Sequence, residues 1–161
     1  MARDETARNV DRMSRVERVV TDLPAGFDAL RAEADAEAFR NMARLAGDWA
    51  SGAERFAGPG SALFAAFDGE VLAGMGGVTR EPSDPGGPLL RMRRFYVRPA
   101  FRRRGHGEAL VAAALDVARG HRVLVHSSDD AMRFWDAAGF ARSIRPGITH
   151  EIASIRQSER A

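Results

Sequence analysis

A glycine-rich turn between a run of arginines and a helix constrains the fold of this chain more than any other feature. Residues 101–110 read FRRRGHGEAL, with Gly105 and Gly107 directly before a segment of helical apolar spacing over 107–119. The preceding residues, LLRMRRFYV at 89–97, are typical of a strand. Helix N-termini leave backbone N–H groups free, and glycines let an anion approach them. The sequence therefore predicts an anion site between this strand and this helix.

The remaining segments alternate in an order that indicates one α/β (α+β) domain with a mostly antiparallel sheet. A hairpin is predicted at 62–80, where Asp68-Gly69 separates two apolar runs. We expect residues 1–14 to form a flexible tail, 15–155 a single domain and 156–161 a polar tail. The other predicted elements are a first strand at 16–23, two helices within 26–50 divided near 34–36, a strand at 122–126, a helix at 129–140 and a last strand at 147–153.

Composition excludes several kinds of chemistry. The chain has 161 residues, no cysteine and 24 basic residues that are all arginine, so disulfides, thiolate nucleophiles and lysine Schiff bases are excluded. No metal is expected. No stretch approaches the roughly 18 consecutive apolar residues of a membrane helix, and the polar N-terminus lacks the apolar core of a secretory signal. We therefore predict a cytoplasmic protein that does not bind membranes.

Charge is unevenly distributed along the chain. Residues 91–104 carry seven arginines and no acid, whereas residues 27–54 carry six acids and three arginines. This asymmetry predicts a basic site and an acidic site for two differently charged ligand parts. An arginine stripe beside an aromatic pair is also compatible with nucleic-acid binding. The net charge of only +2 disfavours that alternative, and the two glycines would have no purpose in it.

Two spaced motifs carry a family resemblance. RRFYVRPAFRRRGHGEALV, followed by AMRFWDAAGF at 131–140, resembles the GNAT superfamily of acyl-CoA N-acyltransferases. The resemblance implies a three-layer fold, with a mixed, mostly antiparallel sheet flanked by helices, and acetyl-CoA as co-substrate. The glycine loop would cradle the pyrophosphate and the preceding strand would pair with the pantetheine arm. The residues implied in coenzyme binding are Phe95, Tyr96, Val97, Arg102, Arg103, Arg104, Gly105, His106, Gly107, Glu108, Ser128 and Trp135.

The residues that manage protons in many family members are replaced here. Arg91 stands where the resemblance implies a glutamate base, Trp135 stands where it implies a tyrosine acid, and Ser128 replaces an asparagine. His126, at the end of a short central strand, is the candidate base, because histidine is the side chain most suited to exchanging a proton near neutral pH. Three alternatives stay open: catalysis by positioning with solvent taking the proton, catalysis by His126, or binding of acyl-CoA without efficient transfer.

The predicted function is transfer of the acetyl group of acetyl-CoA to a primary amine of a small molecule or peptide by direct nucleophilic attack. Candidate acceptor-binding residues are Trp49, Glu54 and Arg91, and an arginine in place of the glutamate could hold an acidic acceptor. The alternative is a non-catalytic acyl-CoA sensor or partner-binding domain, with nucleic-acid binding less favoured. Family members often form dimers, so a homodimer is left open.

Overall fold

A seven-stranded mixed sheet organises the chain. The computed structural model describes residues 14–154, so the predicted tails at 1–14 and 156–161 lie outside the described residues except for Ser14. The strands are β1 Arg15–Val19, β2 Ala62–Asp68, β3 Val71–Arg80, β4 Leu90–Val97, β5 Arg122–Val125, β6 Ala141–Arg142 and β7 His150–Ala153. The helices are α1 Phe27–Ala36, α2 Asn41–Ser51, α3 His106–Val117 and α4 Met132–Ala137, with 3₁₀ turns at Pro99–Phe101 and Asp129–Ala131.

The sheet has the order β1-β2-β3-β4-β5-β7-β6 and is antiparallel except at one pair of strands. β4 and β5 are parallel, and α3 provides the crossover between them that a parallel connection requires. This arrangement confirms the predicted α/β class with a mixed, mostly antiparallel sheet flanked by helices.

Each face of the sheet is covered by a different pair of helices. α1 and α2 bury Leu30 and Leu45 with Met75 and Tyr96 on one face, which we call the α1–α2 face. On the other face, α3 and α4 pack with Met92 and neighbouring apolar residues of β4 and β5. Every helix in the described part of the chain is too short or too polar to span a bilayer.

The observed elements differ from the predicted ones mainly at their ends. The Asp68-Gly69 hairpin turn is present, and α1 ends at Ala36 as expected. The helix predicted over 129–140 is instead a 3₁₀ turn followed by a short α4. The two-residue β6 was missed, because two residues give no alternation to detect.

Candidate active site

Strands β4 and β5 separate soon after they meet. Their recorded pairing among the described residues covers Leu90 with Val123 and Arg91 with Leu124. β4 nevertheless continues to Val97, whereas β5 ends at Val125. A cleft therefore opens in the middle of the sheet, and the edge of β4 that lines it has backbone groups free for another partner.

A β-bulge in β4 lies beside this cleft. The register with β3 shifts between Met75 and Gly77, and Arg94 has a left-handed φ of 61°. A Cβ on Gly76 would lie 2.6 Å from the ring of Phe95, so only glycine leaves room for that ring. Bulges re-aim backbone groups next to functional sites. Here the bulge changes which N–H groups of β4 face the cleft.

Beyond β4, the chain forms a loop rich in free donors. None of the backbone N–H groups from Arg103 to Glu108 donates to an acceptor among residues 14–154. Gly105 occupies the N-cap of α3 with φ 87°, a conformation that disfavours any side chain, and no neighbouring atom lies within 4 Å of a Cβ built there. The glycine loop thus presents an open row of donors at the positive end of a helix dipole.

Gly107 serves a different purpose from Gly105. It lies inside the first turn of α3, where a Cβ would stand 2.8 Å from the ring of Phe134. Glycine is therefore needed at this position for α3 to pack closely against α4. Of the two loop glycines, only Gly105 faces open space.

The side chain of His106 is buried beneath the glycine loop and contacts residues from other parts of the chain. It is 1% exposed, and its Nδ1 lies 2.8 Å from the Ser14 hydroxyl while its Nε2 lies 3.0 Å from Asp68 Oδ2. Arg104 donates to the same carboxylate at 3.2 Å. Burial opposes ionisation of Asp68, but the hydrogen bonds from His106 and Arg104 lower its pKa overall. His106 can therefore offer an anion only its backbone N–H.

The acidic and basic segments noted in the sequence pair with each other. Three of the six acids in 27–54 pair with three of the seven arginines in 91–104, so these six side chains are not free to bind two differently charged ligand parts. With Arg91 and Arg104 also paired, little of the free arginine stripe expected of a nucleic-acid site is left among the described residues. Three ion pairs join β4 and the following loop to α1 and α2: Arg94 with Asp48 (3.2 Å), Arg98 with Glu33 (2.6 Å) and Arg102 with Glu37 (2.7 Å). The hydrogen bond from Arg98 lowers the pKa of Glu33, and that from Arg102 lowers the pKa of Glu37.

Tyr96 is part of this interlocked region. Its side chain is 6% exposed, stacks on Phe39 and donates a hydrogen bond to Glu37 Oε1 at 2.5 Å. Burial and the Glu37 carboxylate raise the pKa of Tyr96 well above its usual range. The Tyr96 hydroxyl is therefore held in a structural contact, and the backbone of Tyr96 pairs with Met75 of β3.

The two positions where the resemblance implies a base and an acid have structural contacts instead. Arg91 donates twice to the buried Glu81, at 2.7 and 2.8 Å, and Glu81 also accepts from the Ser83 hydroxyl. Trp135 is 4% exposed and packs edge-on against Phe95 and other aromatic rings. Sequence reasoning missed Glu81, because nothing local links the end of β3 to the start of β4.

His126 lies just beyond the end of β5, where the cleft opens. Its imidazole is exposed, and Nδ1 lies 2.8 Å from the carbonyl oxygen of Gly147. Because a carbonyl only accepts, Nδ1 carries the proton and Nε2 keeps a free lone pair in the neutral ring. Ser128 follows as the N-cap of a 3₁₀ turn; its carbonyl accepts from Ala131 N–H and its side chain is exposed.

The predicted acceptor-binding residues differ in how buried they are. Trp49 is 6% exposed within the core of the α1–α2 face, with Arg55 over its ring. Glu54 is half-buried and accepts a hydrogen bond from the backbone N–H of Phe56 at 2.9 Å. Residues 14–154 contain no group of three or more histidine, aspartate and glutamate side chains placed to hold a metal ion.

Comparison with known proteins agrees with the arrangement described above, in which two parallel strands separate and a glycine loop with free N–H groups follows. The sequence profile of the Acetyltransferase (GNAT) family matches residues 25–140. The chain belongs to this family. A mycothiol acetyltransferase from Thermobispora bispora is 37% identical over 110 residues, which are 66% of this chain and 35% of the relative. The chain thus spans about a third of that curated relative's length.

Solved structures agree on the fold. An acetyltransferase structure from Exiguobacterium sp. 255-15 superposes with a TM-score of 0.75 at 25% identity, covering 87% of this chain and 93% of that one. The Bacillus subtilis N-acetyltransferase YlbP, solved in complex with coenzyme A, superposes with a TM-score of 0.55 at 16% identity, covering 88% and 97%. At that identity the second likeness concerns the fold alone.

Proposed function

We propose that this GNAT protein transfers the acetyl group of acetyl-CoA to a primary amine. One observation carries the proposal: the free edge of β4 beyond Arg91 runs directly into a loop whose N–H groups from Arg103 to Glu108 have no acceptor among the described residues. An extended arm can add to such an edge by backbone hydrogen bonds, as the pantetheine of coenzyme A would. A pyrophosphate would then reach the start of α3, where the helix dipole favours negative charge.

Within this proposal the arginines of the loop act differently. Arg102 is held by Glu37 and Arg104 by Asp68, so their charges are largely compensated. Arg103 is exposed and forms no ion pair with any residue of 14–154, which makes its guanidinium the nearest uncompensated charge for a phosphate. Phe95 and Val97 would contribute backbone groups, Gly105 would allow close approach, and Gly107 and Glu108 would contribute their N–H groups. Ser128 and Trp135 would lie near the thioester end.

The reaction would proceed by attack of a neutral amine on the thioester carbonyl carbon. A C–N bond forms, the C–S bond breaks, and the thiolate of coenzyme A leaves and takes a proton from solvent. Backbone N–H groups at the Arg94 bulge would stabilise the negative charge on the carbonyl oxygen. We propose His126 as the base, because its Nε2 has a free lone pair at the mouth of the cleft.

A matched pair of histidine variants tests this role. His121 is a second histidine whose Nδ1 bonds to a backbone carbonyl, that of Arg119, and it lies in the turn before β5. His126→Ala should lower kcat about 100-fold at neutral pH with an unchanged KM for acetyl-CoA. His121→Ala should leave both constants unchanged. Equal kcat values for the two variants would remove His126 from the chemistry.

A second candidate function is acyl-CoA binding without transfer. It is favoured by Arg91 and Trp135, neither of which can exchange a proton at neutral pH in its present contacts. Calorimetric titration with acetyl-CoA, followed by a thiol-release screen over amino acids, polyamines, aminoglycosides and peptides, separates the two. Tight binding with no thiol release from any amine would favour the sensor. Cytoplasmic location, a single domain and a homodimer remain predictions from the sequence.

A further inference from the structure

Arg93 differs from the other arginines of β4 in its contacts. Arg91 pairs with Glu81 and Arg94 with Asp48, each within 3.2 Å. Arg93 donates only to the Thr79 hydroxyl, at 3.2 Å, and forms no ion pair with any carboxylate among residues 14–154. A guanidinium has five N–H donors. Most donors of Arg93 therefore lack a protein partner that the structure describes.

The surroundings of Arg93 make an uncompensated charge costly. The side chain is half-buried, and burial together with the neighbouring charge of Arg94 lowers its pKa. Two acids are near enough to act on it through space, but both are engaged elsewhere: Asp48 by Arg94, and Glu54 by the N–H of Phe56. A partly desolvated cation without a hydrogen-bonded carboxylate is a site for an anion supplied by a ligand.

The position of Arg93 places this charge at the acceptor side of the cleft. Arg91 is opposite Leu124 in the last recorded pair of β4 and β5. Arg93 follows Arg91 by two residues on β4, so its side chain starts from the α1–α2 face, and His126 comes directly after the end of β5 where the strands part. Opposite Arg93, β3 carries Gly77, and the ring of Phe56 and the carbonyl of Ala62 occupy the space that a side chain there would take.

We propose that Arg93 binds a carboxylate of the acceptor, so that the acceptor is an amino acid or a peptide with a free carboxylate. This inference rests on the proposed transfer to an amine. It assigns to Arg93 the acid-binding role that the sequence predicted for Arg91, because the Arg91 guanidinium is already paired twice with Glu81. A planar guanidinium and a carboxylate form two parallel hydrogen bonds, which fix the orientation as well as the position of the amine.

A comparison of acids with their amides tests the proposal without requiring turnover. Binding of a panel of N-acetyl amino acids and of the corresponding N-acetyl amino acid amides is measured calorimetrically on the protein saturated with coenzyme A. We expect the best acid to bind about tenfold or more tightly than its amide, the strength of a hydrogen bond to a charged group. Arg93→Gln should abolish that preference. Arg44→Gln, which removes an exposed charge from α2, should retain it.

The outcomes separate this proposal from the proposed function. Amides that bind as tightly as acids, or no binding by any member of the panel, would overturn the role of Arg93. So would an acid preference that survives in Arg93→Gln. Should that variant fail to fold, the acid-to-amide ratio of the wild-type protein decides alone. Thiol release from amines without a carboxylate preference would leave acetyl transfer standing. An acid preference without thiol release would support Arg93 and contradict transfer.

Discussion

Replacing Arg91 should lower the free energy of unfolding more than replacing its ion-pair partner Glu81. The Glu81 side chain is 4% exposed, whereas that of Arg91 is 25% exposed. Arg91→Met keeps the length of the side chain but leaves the carboxylate buried with Ser83 as its remaining side-chain partner. Glu81→Gln keeps the shape but leaves a guanidinium that can turn toward water.

The magnitudes follow from these exposures. Stranding one member of a fully buried pair costs about 3–5 kcal/mol, so Arg91→Met should lower the free energy of unfolding by about 3 kcal/mol. Because Arg91 reaches solvent, Glu81→Gln should cost only about 1 kcal/mol, the scale of one net hydrogen bond. The double variant should be more stable than Arg91→Met alone, since it leaves no buried charge.

Urea denaturation at neutral pH, followed by circular dichroism, measures these free energies. Glu17→Gln is the control, because its pair with Arg15 has side chains 56% and 48% exposed and should contribute less than about 1 kcal/mol. Equal costs for the two single variants, or a larger cost for Glu81→Gln, would refute the argument from burial. Additive effects in the double variant would show that the two side chains do not interact.

Two further predictions concern the loop and the acid limit of stability. The Gly107→Leu variant should unfold at a lower urea concentration than Gly105→Ala, because the new side chain at 107 would overlap the ring of Phe134. Gly105→Ala adds only backbone strain of about 1–2 kcal/mol, since no atom lies near its new methyl group. The reverse order of urea midpoints would contradict these contacts. Since the folded-state pKa values of Glu33 and Glu37 lie below the ordinary 4.5, their contribution is complete above that pH and is lost as the pH falls through the folded values. Replacing both residues with glutamine should weaken the fall in the free energy of unfolding at acid pH, measured by urea denaturation over a range of pH values. An unchanged fall would show that the two ion pairs do not stabilise the fold.

The predictions that succeeded rest on local signals. The helix predicted over 107–119 is observed as His106–Val117, and the strand over 89–97 as Leu90–Val97. Each has a clear period and a glycine or proline at its boundary. Local patterns also predicted the order of the remaining elements, and the family resemblance supplied the three-layer arrangement.

What could not be predicted depends on residues far apart in the chain. Arg98 and Glu33 are 65 positions apart, and no periodicity links them, yet their pairing changes a supposed acidic ligand site into part of the scaffold. The burial of His106 likewise needs Asp68 and Ser14, 38 and 92 residues away. Side-chain partnership over such distances follows from the tertiary packing that brings α1 to the end of β4 and the end of β2 to the start of α3, which the sequence pattern does not determine.

The arginines of residues 91–104 fall into two groups, those that pair with a carboxylate and those that do not. Of the seven arginines in 91–104, five pair with carboxylates of the described chain, namely Arg91, Arg94, Arg98, Arg102 and Arg104. The other two form no such pair there: Arg93 at the opening of the cleft and Arg103 in the glycine loop. In the proposed complex these two positions would lie toward opposite ends of the donor arm, one toward the acceptor and one toward the pyrophosphate. Arg94, Arg98 and Arg102 join β4 and the loop after it to the α1–α2 segment, Arg91 pairs with Glu81 next to β3 and Arg104 with Asp68 of β2. These pairs hold the two unpaired charges at the places where anions would bind.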